Sequence, residues 1–412
     1  LEKENHITLD YTPVLKTVDI RLPSSKSESN RALIINALSG NKSYLTNLSE
    51  ARDTRTMIKL LQSQEQELDV IDAGTTMRFL IAYCAVKNLD KVLTGTKRMC
   101  ERPVSILVEA LQTLGVDLQY LGDQGYPPVH IKSFTSQKEK HLKIRGDVSS
   151  QYISALLMIA PLLPQGLNLE LTGKIYSRPY IEMTLQLMRQ FEVNYRLEKD
   201  VISIEPQDYQ GITYEIESDW SGASYWYSMV ALAKDANITL LGLRENSLQG
   251  DIRIAAIMEK LGVKSDFYGN KVELSKINPQ NEIEINFTDC PDLAQTVAVI
   301  CAVKGIKCTM SGLESLRIKE TDRIQALQNE LSKFGAALYE DNATWTLHPA
   351  SSSISSFSSL YFKTYDDHRM AMAFAPIATQ ANIKIEDPDV VNKSYPSFWT
   401  HLQKAGFSIN ID

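Results

Sequence analysis

The chain has 412 residues, of which 43% are hydrophobic and 23% charged, and its formal net charge is -7. That composition belongs to a folded globular protein, long enough for two domains of about 200 residues. Its acidic balance argues against a general nucleic-acid binder, and the lack of any apolar run of about 18 residues leaves nothing that reads as a membrane span.

The first ten residues, LEKENHITLD, are polar and carry no apolar signal-peptide core. Cys84, Cys100, Cys290, Cys301 and Cys308 form no CxxC pair, and such an odd, scattered set suits reduced thiols in a cytoplasm. The six histidines follow no HExxH or similar spacing, so no structural or catalytic metal is expected.

In chain order, the first informative element is PSSKSESNRAL at 23–33, which runs straight into an apolar helix. Ser and Asn satisfy the free N–H groups of a first helical turn. A helix start favours acids, because that end is partly positive. Here Lys26 and Arg31 bracket the turn with Glu28 against them. Cations repel the dipole unless an anion lies among them. The stretch therefore reads as an ordinary cap or as an anion site.

Similar segments follow: DAGTTMRFLIAYCAV from Asp72, DVSSQYISALLMIA from Asp147, DWSGASYWYSMVALA from Asp219, DCPDLAQTVAVICAV from Asp289 and DDHRMAMAFAPIA from Asp366. Their starts are about seventy residues apart, and each helix is apolar nearly all round, as a buried helix is. A second series alternates with the first. DTRTMIKLLQSQ, RPVSILVEALQTLGV, RPYIEMTLQLMRQFEV, GDIRIAAIMEKLGV, ETDRIQALQNELSKFGA and YPSFWTHLQKAGF carry apolar residues at i, i+3 and i+4, and most end near Gly. Short alternating runs such as VDLQYLG, VHIKS, VISIEP, KVELSK and TWTLHP read as half-exposed strands.

The pattern predicts an α/β protein of six repeated units, three per domain, with an internal boundary near residue 218, uncertain by about ten residues. Buried helices related by pseudo-symmetry would aim their N-terminal ends at one anion-attracting cleft. Six plainly capped core helices are the alternative.

Several of these starts carry chemistry. Gly74, Thr75 and Thr76 open a helix with Arg78 one turn in; this is a plain Gly-containing cap or a place where bare glycine admits a ligand to the backbone. Lys97, Arg98, Glu101 and Arg102 precede Pro103, a clamp for carboxylate or phosphate or a solvated charge cluster. Ser149, Ser150 and Gln151, with Ser177, Arg178 and Tyr180, suit a phosphate cradle and equally suit helix caps. Asp292 in DCPDLAQT is a structural acid of a first turn or a general base. Arg317, Lys319, Glu320, Asp322 and Arg323 alternate in sign, as on a salt-bridged helix face. Asp367, His368 and Arg369 stand at the mouth of a fully apolar helix, where charges need partners or a ligand. Lys393, in VNKSYPSF, is a lone lysine.

Taken in order from about residue 20 to residue 396, SKSESNRAL, DAGTTMRFL, LTGTKRMCERP, DVSSQY, CPDLAQT, RIKETDR and YDDHRMAM resemble the 5-enolpyruvylshikimate-3-phosphate synthase family of enolpyruvyl transferases. The resemblance implies the enolpyruvyl transferase fold, an inside-out α/β barrel with two similar domains, each of three βαβαββ units with buried helices. It implies one domain at 22–217 and a discontinuous second, 1–21 plus 218–412, joined by two hinge crossings and closing on substrate. It implies transfer of the enolpyruvyl group of phosphoenolpyruvate to the 5-hydroxyl of shikimate 3-phosphate in chorismate biosynthesis, without metal or organic cofactor. Monomer is the family expectation, with the two small-molecule substrates as partners and neither nucleic acid nor membrane.

By motif match, Lys26, Ser27 and Arg31 would contact shikimate 3-phosphate. Ser149, Ser150, Ser177 and Tyr180 would hold its phosphate side, and Gln151 would pack on the ring. Gly74, Arg98, Arg323, Arg369 and Lys393 would hold phosphoenolpyruvate, reached also by Lys26 and Gln151. Asp292 would be the base on the 5-hydroxyl, with Lys319 beside the same substrate. Glu320, with Lys26 and Lys319 nearby, would handle the methylene and intermediate protons. His368 would lie by the departing phosphate.

Three positions depart from the family pattern: Ser24 where Gly is usual, Asp72 where Asn is common, and Ser315 where Asn is frequent. Asp72 adds a negative charge near an anion site, so it must be paired or point away. The sister enzyme acting on UDP-N-acetylglucosamine carries a loop Cys five residues before the RP pair; here that position is Lys97. A non-catalytic anion-binding protein would have lost Lys26, Asp292 or Glu320, and all are present.

Overall fold

The computed structural model describes residues 5–350 and 353–411. Residues 1–4 of the polar N-terminal stretch, with 351–352 and 412, lie outside the described residues. Contacts gather the chain into two compact units: Ser25–Ile216, and Leu1–Ser24 together with Glu217–Asp412.

The unit Ser25–Ile216 is built on a repeated strand pattern. Glu67–Asp69 runs parallel to Lys91–Thr94, Val129–Phe134 runs antiparallel to Lys91–Thr94, and Val116–Tyr120 closes the hairpin. His141–Arg145, Leu167–Thr172, Val201–Ile204 and Arg196–Glu198 repeat that order. The third sheet departs from it: Tyr44–Thr46 pairs in parallel with Thr213–Glu215 and, among the described residues, has no antiparallel pair. In the first two sheets the parallel pair needs a crossover, and the helices Gly74–Val86 and Ser150–Ile159 supply it. Lys26–Leu38, Gly74–Val86 and Ser150–Ile159 are the buried helices, and they pack on one another.

The second series forms the outer helices Arg52–Gln62, Ser105–Leu114 and Arg178–Gln190. Ser105–Leu114 shows why. Leu107, Val108, Leu111 and Leu114 fall on one stripe and are fully buried, each contributing about 1.5–3 kcal/mol of burial. Gly115, at φ +107, then ends the helix in a left-handed turn that a Cβ would strain.

In the other unit the same order appears three times. Val18–Arg21, Ile238–Leu241, Lys271–Lys276 and Val263–Tyr268 make one sheet. Glu282–Asn286, Lys307–Ser311, Thr344–His348 and Ala337–Asp341 make the second. In the third, Leu360–Phe362 and Ile383–Glu386 are completed by the N-terminal strand His6–Leu9, which also pairs with Ile409–Ile411. Two-residue turns close the first two hairpins. Gly269–Asn270 has Gly269 at φ +59, and Asn342–Ala343 stands at φ +48 and +62, the sense that matches strand twist. Trp220–Leu232, Ala294–Lys304 and His368–Phe374 are its buried helices, packed together in a core that includes Trp220, Trp226 and Phe398.

Among the described residues, no helix is long and apolar enough to cross a membrane.

Candidate active site

The residues singled out in the sequence fall into two groups, one in each unit. In Ser25–Ile216 they gather at the starts of the three buried helices. Ser25 caps the first, its hydroxyl accepting from the Glu28 N–H at 3.4 Å. Lys26 opens that helix and its Nζ donates to Asp53 Oδ2 at 2.8 Å. One turn on, Arg31 is buried. Its Nε donates to the Thr184 hydroxyl at 2.7 Å, Nη1 to the Ser27 carbonyl at 2.9 Å and Nη2 to the Ser154 hydroxyl at 3.1 Å. The rings of Phe79 and Tyr180 lie 5.4 and 5.7 Å from its guanidinium carbon.

Each of these partners of Arg31 is a neutral oxygen or a π face. Among the described residues no carboxylate lies within ion-pair distance of it. Burial lowers its pKa to about 10, partly countered by Tyr180. A buried cation without a counter-ion is costly, and a ligand anion removes that cost.

The second buried helix begins at Gly74, where Ala73 provides no side-chain cap. A Cβ on residue 74 would lie 2.8 Å from both terminal nitrogens of Arg102 and from Arg78 Nη1. Arg78 is fixed there by the carbonyls of Gly74 and Pro103, each at 3.0 Å. Bare backbone, uncapped N–H groups and two guanidinium groups make an anion-binding corner. The preceding turn is strained: Ile71, a β-branched residue, stands at φ +59. Thr96 N–H bonds to the Ile71 carbonyl at 2.7 Å, which ties that turn to the short helix Lys97–Cys100 carrying Arg98. Arg98 is half exposed and pairs with Glu101 at 3.3 Å.

Ser149 caps the third buried helix, accepting from the Gln151 N–H at 3.4 Å, and Ser150 is buried behind it. The Gln151 amide donates to Thr75 at 3.0 Å, which joins the second and third helix starts. Ser177 precedes Arg178–Gln190 in a left-handed conformation at φ +53, an uncommon state for serine. Its loop meets the Ser149 loop through Tyr176 N–H and the Gly146 carbonyl, 2.9 Å apart.

In the other unit, one ion-pair network collects most of the expected residues. Asp292 lies in the turn Pro291–Leu293 before Ala294–Lys304. Its carboxylate is 3.0 Å from Arg323, 2.9 Å from Arg369 and 3.7 Å from Lys319. Arg323, 2% exposed, also pairs with Glu320 at 2.8 Å and with the fully buried Asp367 at 2.6 Å. Burial alone would raise the Asp292 pKa. Arg369, Lys319 and Arg323 outweigh it and hold the carboxyl well below the usual range. Asp367 caps His368–Phe374 and accepts from the Arg369 N–H at 2.8 Å. His368 is buried with Nδ1 3.9 Å from Asp367. Lys393, also buried, donates to the Asp366 carbonyl at 2.8 Å and to its carboxylate at 3.0 Å. Tyr365 and Asp366 both stand at positive φ, so this turn is strained as well.

Several residues that contact these groups were not singled out in the sequence. Asp53 holds Lys26, and Ser154 and Thr184 hold Arg31; each looks like an ordinary helix residue, and only its burial marks it. Asp251 is a second buried carboxylate beside Asp292 and Arg369, bonded to the Ser221 hydroxyl. Burial and the Asp292 charge push its pKa up to about 7. The three departures resolve differently. Asp72 is paired, with Arg52 Nη2 2.9 and 2.7 Å from its two oxygens. Ser24 forms a β-bridge with Ser218. Nothing in the structure explains Ser315.

The chain is similar to known proteins over nearly its whole length. The family model of EPSP synthase (3-phosphoshikimate 1-carboxyvinyltransferase) matches residues 12–65 and 59–402. A 3-phosphoshikimate 1-carboxyvinyltransferase of Bacteroides fragilis strain YCH46 is 46% identical over 395 residues, covering 95% of this chain and 96% of its own. That of Idiomarina loihiensis is 36% identical, covering 93% and 95%. A solved EPSP synthase from Acinetobacter baumannii superposes with a TM-score of 0.79 at 19% identity, over 99% of this chain and 100% of that one. The fold is therefore that of the solved enzyme, and the chain belongs to the EPSP synthase family.

Proposed function

We propose that this chain transfers the enolpyruvyl group of phosphoenolpyruvate to the 5-hydroxyl of shikimate 3-phosphate and releases phosphate, by addition and elimination through a tetrahedral intermediate. The observation that carries this reading is a family match that runs through both groups of residues, from 12 to 402.

The first group binds. Arg31, with Lys26 and Ser27, takes shikimate 3-phosphate, and the substrate supplies the anion that buried Arg31 lacks among the described residues. Ser149, Ser150, Ser177 and Tyr180 receive its phosphate side, with Gln151 beside the ring. Gly74 and Arg98 are assigned to phosphoenolpyruvate, as are Arg323, Arg369 and Lys393.

The second group moves protons. In the free protein Asp292 is a weak base, because three cations stabilise its charge. When a carboxylate or phosphate claims Arg323 and Arg369, that stabilisation weakens and the Asp292 carboxylate gains basicity. It can then take the 5-hydroxyl proton. Glu320, with Lys319 and Lys26, delivers and removes the methylene proton, and His368 faces the leaving phosphate. The cations also neutralise the charge gathered by two phosphates and two carboxylates.

A cytoplasmic setting is part of this proposal, supported by five cysteines that are all free thiols. Phosphate release tests the function. The expected result is release with phosphoenolpyruvate and shikimate 3-phosphate and none when UDP-N-acetylglucosamine replaces the latter. Release only with the nucleotide sugar would move the chain to the sister reaction.

A further inference from the structure

We propose that Arg52 is a positioning residue for phosphoenolpyruvate: it holds the Asp72 carboxylate and keeps that charge from opposing the anion at Gly74. The inference rests on the placement of phosphoenolpyruvate at Gly74 given above.

Asp72 stands two residues before Gly74, next to a helix start that Ala73 does not cap. A carboxylate there competes with a ligand anion for the same dipole and cations. One nitrogen of Arg52 is 2.9 and 2.7 Å from the two Asp72 oxygens. The pair is partly open to solvent, with side chains 42% and 21% exposed, and such pairs add little to stability. Its consequence lies in where Asp72 points and how much of its charge remains uncompensated.

The local frame makes this holding specific. Ile71 is kept at φ +59 by its N–H to Asp69 Oδ1 at 2.7 Å and by its carbonyl to Thr96 N at 2.7 Å, so the turn is set on both sides of the strained residue. Arg52 opens the helix Arg52–Gln62, and the next residue, Asp53, holds Lys26. Two consecutive residues of one helix start therefore hold charged groups beside two substrate-binding elements. Released from Arg52, Asp72 either keeps more of its charge or draws on the guanidinium groups of Arg78 and Arg102, which face Gly74. Either way the corner holds an anion less well.

The test compares wild type with Arg52→Ala, Asp72→Asn, the double variant and Gly74→Ala, measuring kcat and both KM values at low and high ionic strength. Arg52→Ala should raise the KM for phosphoenolpyruvate about tenfold, with kcat and the KM for shikimate 3-phosphate within about twofold of wild type. Adding Asp72→Asn should bring that KM back to within about threefold, because the charge is gone. Added salt should narrow the gap between Arg52→Ala and wild type, which a merely structural loss would not do. An unchanged KM in Arg52→Ala while Gly74→Ala raises it overturns the role of Arg52 alone. So does a double variant no better than Arg52→Ala. If neither Arg52→Ala nor Gly74→Ala moves the KM for phosphoenolpyruvate, its placement at Gly74 fails and the role of Arg52 fails with it.

Discussion

Arg31 and Arg323 are both guanidinium groups, each 2% exposed, one in each unit. Hydroxyls, a carbonyl and two aromatic rings surround Arg31. Asp367, Glu320 and Asp292 surround Arg323, and they raise its pKa against the opposing effect of burial. The same side chain at the same burial therefore does two jobs. Arg31 has only neutral oxygens and rings around it, which costs stability and, on the proposed function, would prepare a receptor for an anion. Arg323 is neutralised in advance, and its partners include the groups assigned to proton transfer. On the proposed function, a ligand would redistribute charge in that network and complete it around Arg31.

Four variants break or sharpen this contrast. Asp292→Asn has the largest expected effect: kcat should fall by about a thousandfold, the scale of a lost general base, with shikimate 3-phosphate binding nearly intact in a titration. Normal turnover would remove Asp292 from the chemistry. Arg31→Met should weaken shikimate 3-phosphate binding by about 100-fold or more, since charge-assisted hydrogen bonds in a desolvated site are lost, and calorimetry reads it directly. Gly74→Ala should raise the KM for phosphoenolpyruvate about tenfold and leave that for shikimate 3-phosphate little changed, because the methyl displaces Arg78 and Arg102 from the backbone.

The smallest effect concerns pH. The folded-state pKa of Asp251, about 7, lies above its ordinary 3.8, so its contribution to stability is fully present below 3.8 and is lost as pH rises through 7. Between pH 6 and pH 8.5 the wild type should lose stability, on the order of 1 kcal/mol, that Asp251→Asn does not lose. Parallel denaturation curves at the two pH values check it. Equal losses would mean that Asp251 is not the buried carboxylate described.

Much of this was legible in the sequence because period and burial agree. The buried helices are apolar all round and the outer ones carry one stripe, so six alternating pairs could be read without coordinates. The sixth sheet, reduced to Tyr44–Thr46 and Thr213–Glu215, could not, since its strands stand nearly 170 residues apart and show little alternation. Charged site residues were visible as cations at helix starts. Their partners were not. Asp53 resembles any first-turn acid, Thr184 any helix-interior threonine, and only folding brings Thr184 to Arg31 across 153 residues. Asp72 was visible as an added charge, but its answer, Arg52, lies on a different helix.

The most direct measurement compares the stability of Arg31→Met and Arg323→Met by chemical denaturation without substrates. Arg31→Met removes a buried cation that has no carboxylate counter-ion among the described residues, while Ser154 and Thr184 keep each other at 2.9 Å, so it should be as stable as wild type or more so. Arg323→Met leaves Asp367, Glu320 and Asp292 without a shared partner and should lose about 3–5 kcal/mol. Equal losses in the two variants, or a larger loss in Arg31→Met, would contradict the division between an incomplete anion receptor and a self-neutralised catalytic network.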